Sequence, residues 1–283
     1  MILKINLARN AGFCFGVRRA LDIALKTADS RRQVYMLGDI VHNEHVVKTI
    51  ERAGIRKINR LFPGKGKTLL VRAHGISTDT IREAKRLKFR VIDATCPMVK
   101  EIHKIARGME KNGYRIIVIG DKRHDEVLGI IGQLKKKATV IDSIRHIPLG
   151  RIRRYGKACV VVQSTHNLDR VLEIIKILRP HIGDLRFFNT ICNPTRKRQA
   201  EIKRMPLKND CMVIIGSRTS ANTKRLYEIS RSLNRKTYWI QSAKEIKKVW
   251  FKGAKSVGVA SGASTPDSIT IEVIRDIKRL YDL

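Results

Sequence analysis

Three cysteines constrain this chain more than any other feature. Cys14, Cys96 and Cys192 each stand 28 positions ahead of a polar residue, His42, His124 and Ser220 in turn, and each of those closes a short apolar run. A second polar run end follows in every case, at His74, Thr165 and Ser264. Recurrence at one interval indicates a single supersecondary unit used three times.

The runs VYMLG, TLLVRAHG, RVID, RIIVIG, ACVVVQ, CMVIIG and SVGVASG alternate with segments whose apolar residues fall at helical spacing. After Cys14, for example, Val17, Ala20, Leu21, Ala24, Leu25 and Ala28 share one helix face. Buried strands alternating with amphipathic helices predict an α/β fold with mainly parallel sheets. The repeats place α/β units at 14–95, 96–190 and 191–283, and residues 1–13 hold a first strand that packs with the third unit. A hydrophobic content of 43% is enough to fill such cores.

Six of the runs lead into polar segments: GDIVHN, RAHGIS, GDKRHDE, QSTHN, GSRTSAN and SGASTPD. In open α/β sheets ligands bind beyond the carboxyl ends of strands, where loop amides and helix N-termini converge. The six ends therefore predict one polar site.

The segments IDATCPMVKEI and FNTICNPTRKRQAEI both pass from a strand through threonine to cysteine, then proline, then a helical pattern. A thiol just ahead of a helix is stabilised as thiolate. Cys159 and Cys211 instead open the apolar runs CVVVQ and CMVIIG, where cysteine acts as a small buried hydrophobe. Five scattered cysteines without a secretory profile exclude a disulfide framework, and no apolar stretch has the roughly 18 to 20 residues of a membrane span. A cytoplasmic protein is expected.

Three thiolates on a threefold axis could hold zinc or an iron–sulfur cluster. Structural zinc modules use close C-x-x-C pairs, which are absent, as is H-E-x-x-H. His124-Asp125-Glu126 has the H-x-E form of zinc deaminases but lacks their P-C-x-x-C partner. A cluster held by three cysteines fits better and leaves one iron open to act as a Lewis acid.

Lysine and arginine exceed acidic residues strongly enough to give a formal charge of +34, which favours anionic partners. The basic clusters are spread along the chain and aromatics make up 5% of residues, so no base-stacking pattern emerges. Nucleic-acid binding is expected only as an adventitious property.

The segments GFCFGVRRAL, IVHNEHVV, RAHGIS, DATCPMV, GDKRHDEVLG, TICNPTRKRQ, IGSRTSANTKRL and ASGASTPDS occur in the order seen in the IspH/LytB family of 4-hydroxy-3-methylbut-2-enyl diphosphate reductases. The resemblance runs from Ala11 to about Ser268. It implies a trefoil of three α/β units around a central [4Fe–4S] cluster ligated by Cys14, Cys96 and Cys192. It also implies the last step of the methylerythritol phosphate route to isoprenoids, with reduced ferredoxin or flavodoxin as electron donor and no membrane partner. Monomer and weak dimer both remain open.

By the same resemblance His42, His74, His124, Ser220, Ala221, Asn222 and Ser264 bind the diphosphate. Glu126 supplies protons, and Ser164 and Thr165 relay them or hold the substrate hydroxyl. Three positions depart from the usual pattern. Ser164 stands where threonine is common, Ala221 where a second serine is frequent, and Pro194 where alanine is usual. Around Cys14, Gly12 and Gly16 are expected to let backbone approach the cluster, with Phe13 and Phe15 limiting water.

Overall fold

Buried apolar strands and the helices between them organise residues 3–30 and 32–281, the part of the chain that the computed structural model describes. The first stretch runs β1 (Lys4–Leu7), α1 (Phe15–Ala28), β2 (Val34–Leu37), α2 (Glu44–Arg52), β3 (Arg56–Ile58), β4 (Thr68–Val71), α3 (Thr78–Arg86) and β5 (Arg90–Asp93). Next come α4 (Pro97–Lys111), β6 (Arg115–Ile119), α5 (Asp125–Ile131), β7 (Thr139–Ile141), α6 (Leu149–Ile152), β8 (Lys157–Val162), α7 (Leu168–Leu178) and β9 (Asp184–Phe187). The chain closes with α8 (Asn193–Ile202), β10 (Cys211–Ile215), α9 (Ala221–Leu233), β11 (Thr237–Ile240), β12 (Ser256–Ser261) and α10 (Asp267–Tyr281). The expected first strand and third unit extend into Met1, Ile2, Asp282 and Leu283, which lie outside the described residues.

These strands form three parallel four-stranded sheets, ordered β3-β2-β4-β5, β7-β6-β8-β9 and β1-β12-β10-β11. The first two sheets share one connectivity. The third has the same one if β1 is taken as its fourth strand, supplied from the start of the chain. Every expected run forms a strand. Four further strands, β3, β7, β9 and β11, lie at sheet edges; all are short, and β3 and β9 carry charged residues that break any apolar run.

The chain divides into two compact bodies. One consists of Met1–Val17, His42–Lys48 and Asn193–Leu283 and holds the β1-β12-β10-β11 sheet; the other, Arg18–Val41 and Thr49–Cys192, holds the other two. Alternation along the strands buries both faces of a sheet. In the second body Ile117, Ile119, Val160 and Val162 pack with Val171, Ile174 and Leu178 of α7, while Val118, Cys159 and Val161 pack with Ile102 of α4 and Ile130 of α5. In the first, Val213, Ile215 and Val259 face Val273 and Ile277 of α10, and Met212 and Ile214 face Ile202 of α8 and Leu226 of α9. Helices on both faces leave the strand ends as the open surface for chemistry.

Candidate active site at the strand ends

The six polar segments follow the six central strands, two per sheet. Most pass directly into a capped helix. Asn43 Oδ1 accepts from the N–H groups of His45 and Val46, Ser77 Oγ from Thr80, His124 Nδ1 from Glu126, Asn167 Oδ1 from Arg170 and Ser220 Oγ from Thr223. Such caps fix where each helix begins and which side chains stand at its positive end.

Each of the three spaced cysteines follows the fourth strand of a sheet, and its backbone N–H is tied to that sheet. Cys14 donates to the Ala263 carbonyl, Cys96 to Ala73 and Cys192 to Ser164, at 3.0 Å in all three cases. Each acceptor stands two residues past the third strand, so the repeat seen in the sequence is a repeat of backbone geometry. The three thiols are partly exposed, and α1, α4 and α8 start one residue later, Pro97 occupying the first turn of α4. Cys159 and Cys211 are fully buried on β8 and β10, and burial pushes their thiols up to about 12 and about 11. Burial thus disfavours the thiolate at Cys159 and Cys211.

Gly12 and Phe15 flank Cys14 in different settings. Gly12 has φ +86°, and a Cβ there would lie 1.9 Å from Asp267 Oδ1, so the glycine makes room for the start of α10. Its N–H donates to Ser261 Oγ and its carbonyl accepts from Arg198. Phe15, the first residue of α1, is 68% exposed.

The second body gathers His74, His124, Glu126, Ser164 and Thr165. The rings of His74 and His124 meet edge to face at 5.5 Å. Since Nδ1 of His124 accepts the cap bond, a neutral ring carries its proton on Nε2. Glu126 is buried, with Oε1 accepting from the Ser164 N–H (2.5 Å) and Oε2 from Ser164 Oγ (2.7 Å). Burial raises its carboxyl pKa above the usual range, with Ser164 pulling the other way. Thr165 Oγ1 accepts from Gln163, whose own carbonyl takes the Asp121 N–H. A sequence reading misses Gln163, which rests on β8 under Gly120, because nothing in its spacing marks it.

The first body gathers His42, Ser220, Ala221, Asn222 and Ser264. Ser264 Oγ donates to the His42 carbonyl at 3.0 Å, and Ser217 donates to Glu44 at 2.8 Å. Ser220 spends one lone pair on its cap and keeps its proton for donation. Ala221 opens α9 behind it, buried. Asn222 is buried too, and neither atom of its amide has a partner. A buried amide with both ends unmet carries a desolvation cost.

Threefold use of a four-stranded parallel sheet, with cysteine after each fourth strand and polar caps after each central one, defines an α/β class of its own. Within that class the LytB protein profile matches residues 5–278, and the chain belongs to this family. It is 37% identical over 278 residues, 98% of each chain, to the 4-hydroxy-3-methylbut-2-enyl diphosphate reductase of Geotalea daltonii. A solved structure of (E)-4-hydroxy-3-methyl-but-2-enyl diphosphate reductase, described as the terminal enzyme of the non-mevalonate pathway, superposes with TM-score 0.72 at 36% identity, covering 98% of this chain and 100% of that one. The E-1-hydroxy-2-methyl-but-2-enyl-4-diphosphate reductase of Plasmodium falciparum superposes with TM-score 0.88 at 29% identity, covering 97% and 88%. No helix among the described residues is long and apolar enough to cross a membrane.

Proposed function

We propose that this chain reduces (E)-4-hydroxy-3-methylbut-2-enyl diphosphate to isopentenyl and dimethylallyl diphosphates, consuming two electrons and two protons and releasing water. The observation that carries the reading is Glu126, a buried acid held by Ser164 whose surroundings favour its protonated form. Loss of an allylic hydroxyl as water requires a proton at the leaving oxygen, and a raised carboxyl pKa suits that task near neutral pH.

Cys14, Cys96 and Cys192 suit an iron–sulfur cluster by their donor chemistry: partly exposed thiols ahead of helices, each with its backbone pinned. A [4Fe–4S] cluster held by three thiolates supplies electrons and a Lewis-acidic open iron. On this reading segments 14–95, 96–190 and 191–283 are three copies of one unit.

The chain's own groups do the rest. His42, His74 and His124 donate to the diphosphate, with Ser220, Ser264, the Ala221 amide and the unpaired amide of Asn222 completing the set at the N-termini of α2, α5 and α9. Ser164 keeps the Glu126 carboxyl aimed and passes its proton on, and Thr165 holds the substrate hydroxyl. Reduced ferredoxin or flavodoxin is the donor, in the cytoplasm. Anaerobic turnover of the hydroxylated diphosphate with a chemical reductant tests the activity. Iron analysis tests the ligands: serine at 14, 96 or 192 should lose the metal, and serine at 159 or 211 should retain it. No product formation by the iron-loaded protein would overturn the proposal.

A further inference from the structure

We propose that the groove between β1 and α8 is the docking face for a small acidic one-electron carrier protein. This rests on the reductive activity proposed above and assigns the face at which electrons arrive. The groove encloses about 700 Å³ and belongs wholly to the first body. Lys4 and Arg9 line it from β1 and the turn after it, and Lys197, Arg204 and Lys208 from α8 and the turn beyond. None of these five cations is paired with an acid among the described residues.

One acid, Glu201, lines the groove, and it is already spent. Its carboxylate accepts from the Arg9 N–H (2.6 Å), the Asn10 N–H (3.2 Å) and Asn10 Nδ2 (3.0 Å), which fastens the end of β1 to α8. The groove therefore presents concentrated, uncompensated positive charge between two fixed walls, an arrangement that steers an acidic partner.

The occupant's chemistry follows from what accompanies the charge. Leu7 in the groove is 48% exposed and Leu207 at its end is 68% exposed, giving apolar footholds among cations. No aromatic side chain lines the groove, so bases find no stacking platform and a single-stranded nucleic acid is disfavoured. β1 is an edge strand, leaving its outer side uncovered by the sheet. Asn10 is four residues from Cys14, so their Cα atoms lie within about 14 Å even if the chain between them is extended. A carrier seated here delivers its electron next to one of the three thiols.

Each encounter oxidises the carrier by one electron, and two encounters with two protons break the substrate's C–O bond to give the alkene and water. The carrier must leave between them, which requires a small, salt-sensitive contact of the kind that electron-transfer partners make.

The test pairs Lys197→Glu with Arg204→Glu, and separately Lys4→Glu with Arg9→Glu. Binding of an acidic plant-type [2Fe–2S] ferredoxin in its oxidised form is measured by calorimetry, with and without iron in the enzyme. Turnover is measured with that ferredoxin and with reduced methyl viologen. At low salt each pair should weaken ferredoxin binding and its kcat/KM by about tenfold or more, with the gap closing as salt rises, and viologen turnover should stay unchanged. The milder Lys197→Gln with Arg204→Gln should fall between. Lys136→Glu with Lys137→Glu, an equal charge change on the other body, should leave ferredoxin binding intact. Unchanged binding in the groove variants, an equal loss in the Lys136 and Lys137 control, or RNA displacing ferredoxin at equal concentration would each overturn the docking face. Absence of viologen turnover in the unaltered enzyme would instead overturn the activity, while calorimetry still reports on the groove.

Discussion

Ser164 binds both oxygens of Glu126 across 38 positions of sequence, through its backbone N–H at 2.5 Å and its hydroxyl at 2.7 Å. Burial nevertheless dominates and raises the carboxyl pKa, so the folded protein holds a proton that the unfolded chain, at an ordinary 4.5, releases. Stability from this group is complete below the unfolded pKa and is lost as pH rises towards the folded one. Glu126→Gln, which keeps the shape and can meet both Ser164 groups, should therefore melt progressively higher than the parent as pH climbs from the unfolded 4.5 towards the raised folded pKa, while nearly stopping turnover. Ser164→Ala removes a bond that lowers the pKa and should move the alkaline limb of activity upward. A melting difference that is flat with pH would refute the assignment.

Arg72 and Asp125 form a half-buried ion pair at 2.8 Å that ties the end of β4 to the first turn of α5. The guanidinium lies over Gly38, where φ is +76° and a Cβ would sit 2.6 Å from Nη1. Further along, Gln133 Nε2 donates to the Ile76 carbonyl and the Thr78 N–H to Gly132, so the loop bearing His74 and the helix bearing Glu126 move as one piece. Arg72→Met should cost about 2 kcal/mol by removing the carboxylate's ion-pair partner. It should also weaken inorganic pyrophosphate binding, since it deletes a positive charge and keeps the Asp125 carboxylate one residue from His124. Asp125→Asn should cost comparable stability yet hold or improve pyrophosphate affinity. Calorimetry and thermal melts on both variants separate this asymmetry from a plain loss of bracing, in which affinity falls equally in the two.

The central strands were legible because each is an unbroken apolar run buried on both faces, and the polar residues after them stood out against that background. Two of the edge strands, β3 and β9, were not. Arg56-Lys57-Ile58 and Asp184 to Phe187 carry charged residues and look like loop until a neighbouring strand supplies the hydrogen bonds. Within the proposed site, spacing marked the three cysteines together with His42 and His124, since repetition is a property of sequence. Arg72 and Asp125 are brought together by the packing of α5 on the His74 loop, and no local pattern encodes a meeting across 53 positions. The same holds for Gly12, whose requirement comes from Asp267 at the far end of the chain.

His103 supplies a pH dependence of opposite sign. It is buried on α4 beneath Gly75, whose Cβ, if present, would lie 2.8 Å from the His103 ring. Burial lowers its pKa from 6.5 to about 4, Arg107 and Lys100 adding to the shift and Asp93 opposing it. The folded state keeps the ring neutral while the unfolded chain takes up a proton, so stability is present above pH 6.5 and lost as pH falls towards 4. The full shift corresponds to about 3 kcal/mol. Denaturant midpoints at pH 7 and pH 4.5 should differ less for His103→Gln than for the parent. An equal difference in both proteins would show that the acid sensitivity arises elsewhere.

Asn222 offers the clearest separation of binding from stability. It stands second in α9, just behind the Ser220 cap, 4% exposed and with neither amide atom paired. An unmet buried amide costs about 1 to 3 kcal/mol that an apolar side chain of the same shape would not. Asn222→Leu should therefore raise the melting temperature of the ligand-free protein and weaken pyrophosphate or substrate binding by about tenfold or more. Asn222→Asp should lose on both counts, since it buries a charge that also repels phosphate. If Asn222→Leu were less stable than the parent, the amide would be a structural group and its place among the diphosphate ligands would fall.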